Sequence, residues 1–198
     1  MVLIYARHLA LSMPIPTEPL TPQQLPVRAW IAAGSRDGDR TSNMRTALAL
    51  LADQGVAIHK VSSIYETEPV DLPGDLPLLN GALEVRTSLD PGALLAACLD
   101  VEMTLGRRRE LGRDASRTID LDLLLYGERI LHQPGLTLPH PRMHLRRFVL
   151  LPLAEVAPDL RHPVLGRTVS ELLEACGDPA WVRLSAPPAA WWGGEHVV

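Results

Sequence analysis

An α+β fold is predicted for this chain by three observations. Short runs of alternating or β-branched residues recur between residues 27 and 126. Two stretches with apolar residues at helical spacing lie between them. Read in order, these elements run β-α-β-β-α-β.

Residues 27–33 (VRAWIAA) form a buried, central first strand, which enters a glycine-containing turn at residues 34–39. Residues 43–54 form a helix, because Met44, Ala47, Leu48 and Leu51 recur on one face and Gly55 closes it. Residues 56–66 alternate and are β-branched, so they read as a second strand. Residues 70–79, with Pro73, Gly74 and Pro77, read as a loop. Residues 80–87 (NGALEVRT) are a third strand. Asp90 and Pro91 open a second helix, with Leu94, Leu95, Cys98, Val101, Glu102 and Leu105 along it and Gly106 at its end. An arginine-rich loop leads into a fourth strand over residues 118–126. This order is the split βαβ plan, a ferredoxin-like βαββαβ sandwich of four antiparallel strands with two helices on one face. C-terminal additions follow: a short strand near residues 129–132 and helices over 148–154 and 169–176.

Residues 1–26, with Pro14, Pro16, Pro19, Pro22 and Pro26, read as a flexible extension. Residues 27–185 form the folded domain, and residues 186–198 a loose tail. The chain has 198 residues, 46% hydrophobic and 21% charged, as expected of a soluble globular protein. A net charge of -4 argues against a nucleic-acid or anionic-membrane partner. No apolar run reaches the roughly 18 residues of a membrane span; the expected location is cytoplasmic and the expected state a monomer. Cys98 and Cys176 fit neither a disulfide framework nor a zinc site, and read as small hydrophobes in a reducing compartment. Lys60 is the single lysine. Any phosphate must therefore be held by guanidinium forks, backbone amides or metal.

The chemistry gathers around residues 117–126 (RTIDLDLLLY). Alternation puts Asp120 and Asp122 on one face, about 7 Å apart along the strand, with Ile119, Leu121 and Leu123 on the other. Two carboxylates on one side of an apolar strand are costly without positive charge nearby. Mg²⁺ suits them, because it binds through one or two carboxylates plus substrate phosphates. Arg107, Arg108, Arg109, Arg113 and Arg117 lie just upstream. A triphosphate bridged by metal on one side and clamped by arginine on the other satisfies both charge sets. The plainer alternative is a solvent-facing strand edge beside a solvated loop.

The turn at residues 34–39 is neither a Walker A loop nor a Rossmann fingerprint. It reads as a strand-to-helix connection whose backbone also approaches a ligand. His140 sits in a rigid Leu-Pro-His-Pro-Arg-Met-His segment, followed by Arg146, Arg147 and Phe148. Phe148, the only phenylalanine, is either core or a stacking platform for a flat heterocycle. Asn80 is either a cap or a reader of that heterocycle's edge.

Taken together, these segments resemble the 6-hydroxymethyl-7,8-dihydropterin pyrophosphokinases of folate biosynthesis over about residues 27–173. The resemblance rests on Ala33-Gly34-Ser35, Tyr65-Glu66-Thr67-Glu68-Pro69-Val70, Leu79-Asn80 and Glu102 with Gly106-Arg107 and Arg109. It continues through residues 117–127, residues 138–150 and Pro152-Leu153-Ala154-Glu155. It implies transfer of the β,γ-pyrophosphoryl group of ATP to the pterin hydroxymethyl oxygen, with release of AMP. It implies two Mg²⁺ ions on Asp120 and Asp122, with Arg107 and Arg117 joining them in catalysis. Arg107, Arg109, Arg117, Leu123, Thr137, His140 and Arg146 would bind the nucleotide. Thr67, Leu78, Asn80 and Phe148 would form the pterin pocket.

Three departures from the family pattern stand out. Arg36 replaces an asparagine, Leu78 replaces the second aromatic wall of the pterin pocket, and Asp114-Ala115-Ser116 replaces Trp-Gly-Pro. The alternatives are a relative that binds pterin or nucleotide with little turnover, and a ferredoxin-like RNA-binding module. The negative charge and the lack of paired surface aromatics weigh against the latter.

Overall fold

The computed structural model describes residues 25–69, 76–106 and 118–193. Its hub is β1 (Val27–Ser35), which lies between β5 (Asp120–Tyr126) and β4 (Leu78–Thr87), antiparallel to both. On its far side β4 pairs with β2 (Ala57–Val61) and β3 (Ile64–Thr67), and β3 pairs in turn with β8 (Val182–Ala186). A separate hairpin joins β6 (Leu131–Gln133) to β7 (Leu136–Leu138).

The sheet is covered on both faces, which explains why β1 is almost continuously apolar. Ala29, Ile31 and Ala33 face α1 (Arg40–Asp53) and α2 (Pro91–Thr104), where they pack with Met44, Leu51, Leu94 and Val101. Trp30 faces the other way and joins Ala82, Leu124, Val149, Leu150 and Leu153 beneath α3 (Arg147–Val156) and α4 (Val169–Glu174). The mixed α/β class and the antiparallel sheet expected from the sequence are therefore present. No helix among the described residues is long and apolar enough to cross a membrane.

Several expectations are corrected. The helix expected from residue 43 starts at Arg40, because Asp39 caps it by accepting the Ser42 N–H at 3.0 Å. The single strand expected over 56–66 is two strands. At the break, Ser62 Oγ accepts the Ala82 N–H at 2.9 Å, and the Ser63 N–H donates to Glu155 at 3.0 Å rather than to a strand neighbour. Leu78 and Leu79 belong to β4 rather than to the preceding loop. The expected tail is not loose over residues 186–192: Ala186 ends a paired strand and Trp191 is fully buried. Residues 1–24 of the extension expected over 1–26, residues 70–75 of the loop expected over 70–79, and residues 194–198 of the expected tail lie outside the described residues.

Glu155 links α3 to the broken strand, accepting from Ser63 N, Ser63 Oγ and Tyr65 Oη at 2.9–3.0 Å. Burial, aided by this carboxylate, pushes the Tyr65 phenol up to about 12. Glu155→Ala should lower unfolding stability by about 1.5–3 kcal/mol, the usual worth of hydrogen bonds to a charged group. Chemical denaturation measures the loss, and titration of Tyr65 should show its pKa falling back.

Candidate active site

Strand register assembles the site. Asp120 lies opposite Gly34, Gly34 opposite Asn80, and Asn80 opposite Tyr65. Asp122 lies opposite Ala32, and Ala32 opposite Ala82. Directly paired residues share a face, so both carboxylates and Asn80 look out on the same side. At about 4.8 Å per strand, Asp120 and Asn80 stand roughly 10 Å apart across Gly34. The opposite face of β5 is core, with Ile119, Leu121 and Leu123 buried.

Gly34 keeps the floor between them open. A Cβ there would sit 3.1 Å from Asn80 Oδ1. The Asn80 amide donates to Thr67 Oγ1 at 2.8 Å, and both residues are buried. This bond locks the amide orientation, so Oδ1 is turned toward Gly34. The end of β1 and the first turn of α1 pin the entry to β5, because Ser35 Oγ and Asn43 Nδ2 both donate to Thr118 O, at 2.5 and 3.3 Å. From the other side, Glu102 on α2 accepts the Leu121 N–H at 2.7 Å, between the two aspartates. That bond fixes the outer edge of β5 and gives the otherwise apolar face of α2 a reason to carry a carboxylate.

Two cavities meet at this strand. The larger, about 1260 Å³, is lined by Gly34, Thr67, Leu78, Asn80, Asp120, Asp122, Arg146 and Phe148, among others. Here the Arg146 guanidinium lies 5.4 Å from the Phe148 ring centroid, a cation–π distance. The smaller, about 340 Å³, is lined by Leu95, Asp122, Leu123, Gln133, Thr137 and His140. Asp122 belongs to both. The structure thus gathers the expected pterin residues Thr67, Leu78, Asn80 and Phe148 around one chamber. It gathers Leu123, Thr137 and His140 around the other and puts Arg146 with the first group. Arg107, Arg109, Arg117 and the Asp114-Ala115-Ser116 segment lie outside the described residues.

His140 is held by its backbone, its N–H donating to Leu124 O at 2.8 Å. Its Nδ1 accepts the Arg142 N–H at 3.3 Å, so the neutral ring carries its proton on Nε2. Burial holds the imidazole below its ordinary pKa. Arg146 and Arg142 lower it further, against an opposing pull from Asp122. The ring is therefore a neutral donor near pH 7.

Asp120 and Asp122 are the residues that suit a metal. Among the described residues no group of three or more His, Cys, Asp or Glu is placed to cage an ion. A pair of carboxylates on one face of an open cavity fits Mg²⁺, which takes one or two carboxylates and completes its shell with substrate oxygens and water. The sequence did not reveal Gln133, Leu95 or Arg36 as cavity residues. Gln133 and Leu95 lie in no recognisable motif. Arg36 stood out only as a departure in the turn.

Comparisons with known proteins point to one family. A family model described as 7,8-dihydro-6-hydroxymethylpterin-pyrophosphokinase matches residues 30–158. The chain is 48% identical over 129 residues to the 2-amino-4-hydroxy-6-hydroxymethyldihydropteridine pyrophosphokinase of Bacillus subtilis, covering 65% of this chain and 77% of the relative. It is 39% identical over 160 residues to the protein of the same name from Synechocystis, covering 79% and 81%. Among solved structures, the wild-type HPPK-DHPS of Plasmodium falciparum with SDX-DHP superposes with a TM-score of 0.57 at 15% identity. That likeness concerns the fold, and covers 75% of this chain and 43% of the solved one, so this chain spans less than half of that protein's length.

Proposed function

Because this chain belongs to the 7,8-dihydro-6-hydroxymethylpterin-pyrophosphokinase family, we propose that it transfers the diphosphoryl group of ATP to 6-hydroxymethyl-7,8-dihydropterin in folate biosynthesis. The products are the pterin diphosphate and AMP. The observation that carries this reading is the shared carboxylate. Asp122 lines both chambers, so a nucleotide in the smaller and a heterocycle in the larger would meet at one charged wall.

The larger chamber takes the pterin. Phe148 stacks on the ring, Leu78 covers its other face, and the locked Asn80–Thr67 pair offers fixed polar groups to its edge. The smaller chamber takes the nucleotide, with Leu123 and Thr137 at its walls and His140 Nε2–H donating to it. Arg146 reaches the phosphates from beside Phe148. Arg107, Arg109 and Arg117 belong to the same phosphate clamp. Asp120 and Asp122 would hold two Mg²⁺ ions, which would supply charge neutralisation and acidify the attacking hydroxyl.

The hydroxymethyl oxygen then attacks the β-phosphorus. The bond from that phosphorus to the α,β-bridging oxygen breaks, AMP leaves, and the hydroxyl proton is released. Holding the two substrates in line at one wall supplies most of the rate, and no covalent enzyme intermediate is needed. We read the frame as the ferredoxin-like βαββαβ plan, with the strand expected over 56–66 represented by β2 and β3. We also read the protein as a cytoplasmic monomer that needs no nucleic-acid or membrane partner. Burial pushes the Cys98 thiol up to about 12, which suits an unreactive core position.

Mixing the protein with ATP, Mg²⁺ and hydroxymethyldihydropterin should release AMP stoichiometrically with the pterin diphosphate. Binding without AMP release would favour the reading of a binder with little turnover, and ADP release would contradict diphosphoryl transfer. Within the pterin chamber, Phe148→Leu should raise the pterin KM roughly two- to twelve-fold, the worth of an aromatic stack of about 0.5–1.5 kcal/mol. The KM for ATP should stay unchanged in the same steady-state series.

A further inference from the structure

The C-terminal arm is not explained by the activity above, and it lies beyond the family-matched residues. It starts on the wall of the larger cavity, at Asp178 and Pro179. There Asp178 Oδ2 accepts the Arg147 N–H at 2.9 Å, at the start of α3. The arm then runs along β3 as β8, with Val182 opposite Thr67. It rounds the sheet edge, and the Arg45 guanidinium donates to Ala190 O at 2.6 Å. It ends with Trp191 fully buried in the core on the opposite face.

Two features of Trp191 go beyond filling space. Its indole packs on the bare backbone of Gly81, where a Cβ would lie 2.7 and 2.9 Å from Cζ2 and Cη2. Gly81 directly follows Asn80, so the ring lies immediately behind the residue that faces the pterin chamber. In addition, Nε1–H donates to Ser62 O at 2.8 Å. Ser62 marks the junction of β2 and β3, and its N–H and Oγ both bond to the backbone of Ala82. One side chain therefore grips β4 at Gly81 and the junction leading into β3 at Ser62. The Asn80–Thr67 hydrogen bond spans these same two strands.

We propose that Trp191 is a positioning residue for pterin recognition, setting β3 against β4 so that Asn80 and Thr67 hold their polar groups in a fixed arrangement. The proposal rests on the assignment of Asn80 and Thr67 to the pterin. The residues lining the smaller chamber come from α2, β5, the β6–β7 hairpin and the segment at His140 that follows it, whereas the Trp191 hydrogen bond and its packing on Gly81 fall on β4 and the β2–β3 junction. Its effect is therefore confined to one substrate.

The test uses the full chain and measures pterin and ATP-analogue affinities separately by calorimetry, alongside kcat and both KM values. Trp191→Phe keeps an aromatic ring but removes the N–H. It should weaken pterin binding about tenfold, equivalent to roughly 1.4 kcal/mol for one lost hydrogen bond. ATP-analogue affinity and kcat should stay within about twofold of wild type. Gly81→Ala should weaken pterin binding further, and adding Trp191→Leu should recover part of that loss by making room for the new methyl group. Leu184→Ala, on the exposed side of the arm, should change nothing. Parallel loss of both affinities, or a change in melting temperature with the pterin affinity intact, would overturn the positioning role. If Gly81→Ala and its partner variant behave additively, the coupling is absent and the role is likewise overturned. Failure of the underlying assignment reads differently, because wild-type protein would then bind no pterin at all.

Discussion

Asp122→Ala, and separately Asp120→Ala, should each reduce turnover by about a thousandfold or more, because the charge stabilisation supplied through a bound metal is worth several kcal/mol. Both side chains face a cavity rather than the core, so the fold should survive, with a melting curve close to wild type. Asp122→Ala should also weaken both substrates, since its carboxylate lines both chambers. Asp120→Ala should spare much of the binding in the smaller chamber, which Asp120 does not line. Near-normal turnover in either variant would remove that aspartate from the metal platform. Equal binding losses for the two would contradict the division into chambers.

Gly34→Val should be the most damaging substitution outside the charged groups. Gly34 lies between Asp120 and Asn80 in the register, and a Cβ already presses on Asn80 Oδ1 at 3.1 Å. Valine is well suited to a strand, so folding should tolerate it. Its methyl groups would fill the floor over which the pterin must approach the carboxylates. A displacement of about 1 Å in the bound geometry costs roughly a hundredfold, and kcat/KM for the pterin should fall by about that factor. Gly34→Ala should fall between this variant and wild type, because Asn80 need yield by only a few tenths of an ångström. Full activity in Gly34→Val would show that the pterin does not cross this floor.

Much of the site was legible because its logic is local. The two-residue period of β5 sorts Asp120 and Asp122 from Ile119, Leu121 and Leu123 without reference to any other strand. The apolar continuity of β1 marks it as central, and the structure supplies the reason by covering it on both faces. What escaped the sequence depends on distant partners. The break after Val61 leaves only a faint mark in the sequence, the doubled Ser62-Ser63 that interrupts the alternation. It is made by Glu155 on α3 and by the Ser62 bonds to Ala82. The arm looked loose because proline and glycine surround Trp191, while its partners Gly81 and Ser62 lie in remote strands. The meeting of two chambers at Asp122 likewise follows from the placement of the β6–β7 hairpin, which no motif specifies.

The central claim is that the site moves two phosphorus atoms as one group. The direct measurement is a single turnover with ATP labelled at the β-phosphate, with separation of pterin and nucleotide products. The label should be recovered in the pterin diphosphate, with AMP unlabelled. Label retained in ADP, or released as inorganic phosphate without appearing on the pterin, would contradict it.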